Sequence, residues 1–166
     1  SIKGLIKNTQ EGQIDTGKMM VSLSALAIEK GVMILNGMDV KKIEDSSTGV
    51  CLKTSMGNIQ SKKAIIATNG FASELLKLKD IKPARAQVLI TKPIPNLKIN
   101  GTFHYNEGFV YFRNINNRIL LGGGRNLDIK NETTSNFELN TKIQNYLTQF
   151  LKQTILPNQN IEIDQR

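Results

Sequence analysis

Ala64-Ile65-Ile66-Ala67-Thr68-Asn69-Gly70 is the stretch whose reading decides the fold. Four apolar residues in a row, without alternation, predict a strand covered on both faces, as in a parallel sheet. The chain then turns polar at Thr68, Asn69 and Gly70 and enters a short helical run from Phe71 to Leu76. Ligands of open α/β sheets lie beyond the carboxyl ends of the strands. A glycine there lets the backbone approach a phosphate or ring with no Cβ in the way. The turn is therefore a candidate cofactor contact. No Gly-x-Gly-x-x-Gly strand–turn–helix opens the chain, so a nucleotide site is only half encoded.

Upstream, Met19, Met20, Leu23, Leu26 and Ala27 recur at helical spacing, with Asp15 or Thr16 as N-cap and Gly31 as terminator. Val32 to Leu35 reads as a short apolar strand. A small antiparallel set follows, predicted over Met38–Glu44, Val50–Thr54 and Ile59–Ser61. Downstream of Pro83 the pattern changes. Gln87–Thr91, Phe103–Tyr105, Phe109–Arg113 and Arg118–Gly122 read as antiparallel strands, the last two joined by the loop Asn114–Asn117. Leu139, Ile143, Tyr146, Leu147, Phe150 and Leu151 mark a helix that ends before Pro157, and a strand begins near Ile161. The expected fold class is α+β, derived from an α/β unit.

Lysine and arginine number 22 against 14 acidic residues, a net charge of +8. The basic residues sit in separate elements, such as Lys41-Lys42, Lys62-Lys63 and Lys77-Leu78-Lys79, with no aromatic interleaving. That argues against nucleic acid and for a solvated basic surface or an anionic cofactor or partner. A lone cysteine, Cys51, excludes an internal disulfide and a cysteine metal site. No apolar run is long enough for a transmembrane helix, and the first residues lack the apolar core of a signal peptide. A cytoplasmic location is expected, and no metal.

Few motifs carry chemistry. Gly122-Gly123-Gly124 reads as a nucleotide loop or as a strand end where backbones approach closely; no Lys-Ser/Thr follows, which favours the second. His104, the single histidine, reads as a packed or hydrogen-bonded side chain or as a catalytic one, but no nucleophile and carboxylate complete a triad. Tyr111 and Arg113 fall on one strand face and Phe112 on the other. Arg113 is a candidate for bidentate carboxylate binding or an exposed hairpin arginine. The acidic residues are too dispersed for paired-carboxylate catalysis. Catalytic residues are left unassigned.

In order and spacing, several segments resemble the D-amino-acid oxidase/glycine oxidase family of FAD-dependent oxidoreductases. They are Gly12–Met20, Gly31–Val40, Lys63–Gly70, Pro83–Val88 and Phe109–Arg113 through Gly124. A β-meander between two parallel strands is characteristic of such flavoproteins. The resemblance implies a partial FAD-binding domain with the meander over 1–82, an antiparallel-sheet substrate domain over 83–157, and the start of a return strand over 158–166. It places Val40, Thr68, Asn69 and Gly70 at the cofactor, and makes Tyr111, Arg113 and His104 the substrate-binding candidates. It implies a parent enzyme that oxidises a small amine or amino acid by hydride transfer to FAD. The family's opening pyrophosphate turn and closing glycine-rich segment are missing, so the chain is expected to be an internal fragment, inactive alone and without bound FAD. A complete basic module for an anionic partner is the alternative.

Overall fold

The computed structural model describes residue 2 and residues 4–166. Helix α1 (Thr16–Glu29) starts where the Asp15 carboxylate accepts the Lys18 N–H at 3.1 Å, and Gly31 follows its end at φ +85°. It buries none of its residues. Among the described residues no helix is long and apolar enough to cross a membrane.

The chain forms two compact units. A meander unit holds Val21–Arg85 and Thr133–Phe137. Strands β1 (Val40–Ser46), β2 (Gly49–Thr54) and β3 (Gly57–Ser61) make an antiparallel sheet in that order. The short helix α2 (Ala72–Leu76) packs on β1, and Cys51 and Ala72 are buried. Phe71 and Phe137 stack with ring centres 5.9 Å apart.

Two strand expectations fail in this unit. Val32–Leu35 and Ala64–Ala67 form no strand, and their side chains are exposed, Met33 by 81% and Ile65 by 94%. A strand is held by its neighbours' hydrogen bonds and by cover on its faces. The meander strands pair only with one another, so no sheet edge among the described residues receives these two segments.

The sheet unit holds residues 1–20, Ala86–Glu132 and Glu138–Arg166. Strands β4 (Gln87–Thr91), β5 (Thr102–Tyr105), β6 (Val110–Ile115), β7 (Arg118–Gly123) and β8 (Ile163–Gln165) form one antiparallel sheet in the order β5-β6-β7-β4-β8. Strand β8 lies at the sheet edge beside β4. Helix α3 (Thr141–Phe150), continued by a π-helical turn over Leu151–Ile155, lies on one face. Asn140 caps it, its side chain accepting the Ile143 N–H. Leu89, Val110, Ile119 and Leu121 from the strands meet Ile143, Leu147 and Leu151 in the core. Alternation along each strand sends the intervening side chains to the opposite face.

Three buried polar side chains of this unit, Gln87, Glu132 and Gln144, are bonded in a chain. The fully buried Glu132 carboxylate accepts from Gln87 Nε2 at 3.2 Å and Asn140 Nδ2 at 2.9 Å, while Gln144 Nε2 donates to Gln87 Oε1 at 3.0 Å. Asn140 Nδ2 also donates to Asp128, as does Asn131 at 3.0 Å. The bonds from Asn131 and then Asn140 favour the Asp128 carboxylate and lower its pKa. Because the folded pKa lies below the unfolded one, this contribution is present at neutral pH and is lost as pH falls through the folded value. Urea unfolding followed from neutral to acid pH should therefore show a shallower acid loss for Asp128→Asn than for the natural chain.

Candidate functional site

The face of the five-stranded sheet opposite α3 carries the three substrate-binding candidates. Residues directly opposed in an antiparallel ladder share a face. One such row is His104–Tyr111–Gly122–Val88, and the next is Thr102–Arg113–Leu120–Ile90. His104, Tyr111 and Arg113 thus come to one open face, His104 directly across from Tyr111. His104 is exposed, so it is not a packed core histidine. Burial raises the Tyr111 pKa, so its phenol keeps its proton at neutral pH and is available as a hydrogen-bond donor.

Arg113 has a partner that sequence reading did not anticipate. Its Nη1 donates to the backbone carbonyl of Ile14. Beside it, Gln13 Nε2 donates to the Asn114 carbonyl at 2.8 Å, and Thr102 Oγ1 donates to Gln13 Oε1 at 3.5 Å. The chain just before α1 is in this way strapped to β5 and β6. These contacts join residues about a hundred positions apart, so no local pattern could have shown them. Arg118, at the start of β7, forms an ion pair with Asp164 on β8.

The glycine run at the end of β7 is buried throughout. At Gly122 a Cβ would meet the Tyr111 ring at 2.7 Å, at Gly123 the Phe109 carbonyl oxygen at 2.0 Å, and at Gly124 the Ile143 side chain at 3.1 Å. The close-approach reading therefore holds, and the phosphate-loop reading fails: the space beside these glycines is filled by protein.

In the meander unit the four cofactor candidates occupy two places. Val40 is half-buried at the start of β1, paired with Thr54 just before a bulge. Thr68 and Asn69 are exposed, and Asn69, not Gly70, takes the left-handed conformation at φ +49°. Thr68's carbonyl accepts the Phe71 N–H at 3.1 Å, and Gly70's carbonyl accepts the Ser73 hydroxyl at 3.0 Å. A Cβ on Gly70 would lie 3.2 Å from the Pro83 side chain. A side chain at this position would press on Pro83, which would have to give by a few tenths of an ångström.

Residues 1–166 match the family described as FAD dependent oxidoreductase, DAO. This chain is a member of the DAO family. It is 30% identical over 127 residues to a probable oxidoreductase, OrdL, of Rhizobium meliloti (strain 1021), a match covering 72% of this chain and 30% of that protein. Its fold resembles the crystal structure of iminodiacetate oxidase (IdaA) from Chelativorans sp. BNC1. There the TM-score is 0.61 at 13% identity, over 89% of this chain and 42% of the other. The DAO chain described here spans less than half the length of either relative.

FAD is the cofactor that DAO membership implies, and the residues present fit it in part. Thr68 and Asn69 form an exposed polar turn in the meander unit. A pyrophosphate needs clustered backbone N–H groups at a helix N-terminus. The glycine run that could have supplied them is packed against Tyr111, Phe109 and Ile143. Among the described residues, the glycine run Gly122–Gly124 therefore offers no cradle for the cofactor's phosphates.

Proposed function

We propose that this DAO chain forms the substrate-facing sheet and part of the FAD-binding region of an enzyme that oxidises a small amine or amino acid. By itself it neither turns over substrate nor retains FAD. The observation that carries this reading is the row His104–Tyr111–Gly122 on the open sheet face, with Arg113 in the adjacent row. A protonated, half-buried phenol with an exposed imidazole opposite it suits a substrate that carries a carboxylate and an amine. When bound, the flavin supplies the hydride acceptor. Tyr111 donates to the substrate carboxylate and fixes its orientation, His104 borders the same space, and Arg113 holds the Ile14 backbone at its edge. Val40, Thr68, Asn69 and Gly70 are the contacts proposed for FAD. Similarity to a protein named as an iminodiacetate oxidase supports the amine class.

The test uses the flavin-loaded enzyme that contains this chain. Under anaerobic conditions its flavin absorbance is followed while amines, amino acids and the corresponding 2-hydroxy acids are added. Bleaching by members of the first two classes is expected. Bleaching by hydroxy acids alone would overturn the substrate class. For the 166-residue chain, FAD titration followed by gel filtration should leave the protein colourless; a stoichiometric yellow complex contradicts the second half of the proposal.

A further inference from the structure

Three adjacent glycines at the end of β7 are glycine for two different reasons. Gly123 and Gly124 have φ of +112° and +76°, a backbone region that side chains disfavour. Gly122 does not lie in that region, so an L-residue could adopt its backbone conformation. What excludes a side chain there is the Tyr111 ring. The Cε2, Cζ and Oη atoms of Tyr111 all lie 2.7 Å from where a Gly122 Cβ would stand. Tyr111 and Gly122 are also direct ladder partners, which brings the two residues onto one face.

We propose that Gly122 is a positioning residue: its missing side chain is the seat on which the Tyr111 phenol lies across the sheet. The seat fixes where the hydroxyl stands on the open face and how much room is left above it for a substrate. The second half rests on the reading of that face as the substrate wall. The three atoms nearest a Cβ at position 122 all belong to the far end of the Tyr111 side chain, which turns away about its own torsions while the ladder stays in place. Lifting the ring costs the phenol its burial and moves its hydrogen-bonding atom relative to His104. The seat thus ties a backbone feature of β7 to a recognition group on β6.

The first experiment uses the 166-residue chain and reads the phenol directly. Tyrosine labelled with 13C at Cζ is titrated by NMR in the natural chain and in Gly122→Ala, with Tyr105 and Tyr146 identified by their phenylalanine variants. The Tyr111 titration midpoint should fall toward the ordinary tyrosine value in Gly122→Ala, and those of Tyr105 and Tyr146 should stay. An unmoved Tyr111 midpoint overturns the seat. A second arm covers the case in which Gly122→Ala folds poorly. Combined with Tyr111→Ala, the substitution at 122 should lose most of its effect on unfolding, because the ring it meets is gone. Equal damage in both backgrounds likewise overturns the seat.

The second experiment uses the flavin-loaded enzyme. A displaced orienting group weakens substrate and transition state alike, so Gly122→Ala should raise KM about tenfold with kcat much less changed. A shifted phenol with an unchanged KM overturns the substrate role and leaves the seat as packing. Failure of amine oxidation altogether, with the phenol shift intact, counts against the proposed function and not against the seat.

Discussion

Gly123→Ala is expected to destabilise the sheet unit by about 4 kcal/mol, the exceptional range for a single methyl group. Two costs add. The φ of +112° is one that only glycine adopts readily. The added Cβ would also stand 2.0 Å from the Phe109 carbonyl oxygen and 2.9 Å from Val110 Cα. Both are backbone atoms, so no side-chain rotation relieves the contact. The Phe109 carbonyl also accepts the Gly124 N–H at 2.7 Å, so moving it breaks the bond that closes the end of β7. Gly108, in the turn between β5 and β6 of the same unit, separates the two costs. It has φ +86° with open space where a Cβ would go, so Gly108→Ala carries the dihedral cost alone, about 1–2 kcal/mol. Urea midpoints of the two variants, read by circular dichroism, check this. Equal midpoints would mean that the backbone collision contributes nothing.

Glu132→Ala should cost the same unit about 3 kcal/mol, because it removes the carboxylate acceptor from one N–H each of buried Gln87 and half-buried Asn140, whose second N–H groups keep Glu138 and Asp128. Glu132 is fully buried, and its two carboxylate oxygens take separate bonds from Gln87 on β4 and Asn140 at the start of α3. Gln87 passes the chain of bonds on to Gln144 of α3, and Gln144 accepts in turn from Arg166 at 3.0 Å. One carboxylate therefore ties the loop after β7 to both the sheet and the helix covering it. Glu132→Gln keeps the volume but turns one acceptor into a donor facing an N–H, so an intermediate loss is expected. Midpoints from the same urea series decide it: an alanine variant no worse than the glutamine variant would show that the bonds to Gln87 and Asn140 are not what the carboxylate provides.

Local signals located much of the architecture. The capping aspartate at Asp15, the alternating apolar residues from Gln87 to Gly123 and the helical stripe over Ile143, Leu147 and Phe150 each carry their physical cause within a few residues. Hydrophobic periodicity and turn chemistry are local properties, so these elements stand close to where the pattern puts them. The apolar run Ala64–Ala67 has the composition of a buried strand, yet composition supplies no neighbour. Without a paired edge among the described residues, the same four residues are exposed coil. The placing of Tyr111 and Arg113 on a common face followed from period-two alternation alone. That His104 stands across from Tyr111 required the register of β5 against β6.

The glycine run shows where legibility ends. Its composition already favoured a strand end with close backbone approach, but could not distinguish Gly122 from Gly123. Only the fold shows that one makes room for a ring and the other for a carbonyl. Arg113 is the converse case. Its residue type suits a carboxylate, and its three-dimensional partner is the Ile14 carbonyl, 99 positions away.

By itself, then, the sequence determined the order of the elements in the sheet unit, the faces of its strands and membership of the DAO family, because these rest on short-range patterns and on motifs kept in order along the chain. Tertiary structure alone decided which segments find a sheet edge, which glycine seats Tyr111, and which carbonyl holds Arg113. Those outcomes depend on contacts between distant residues, and no local pattern of side chains encodes the distance between them.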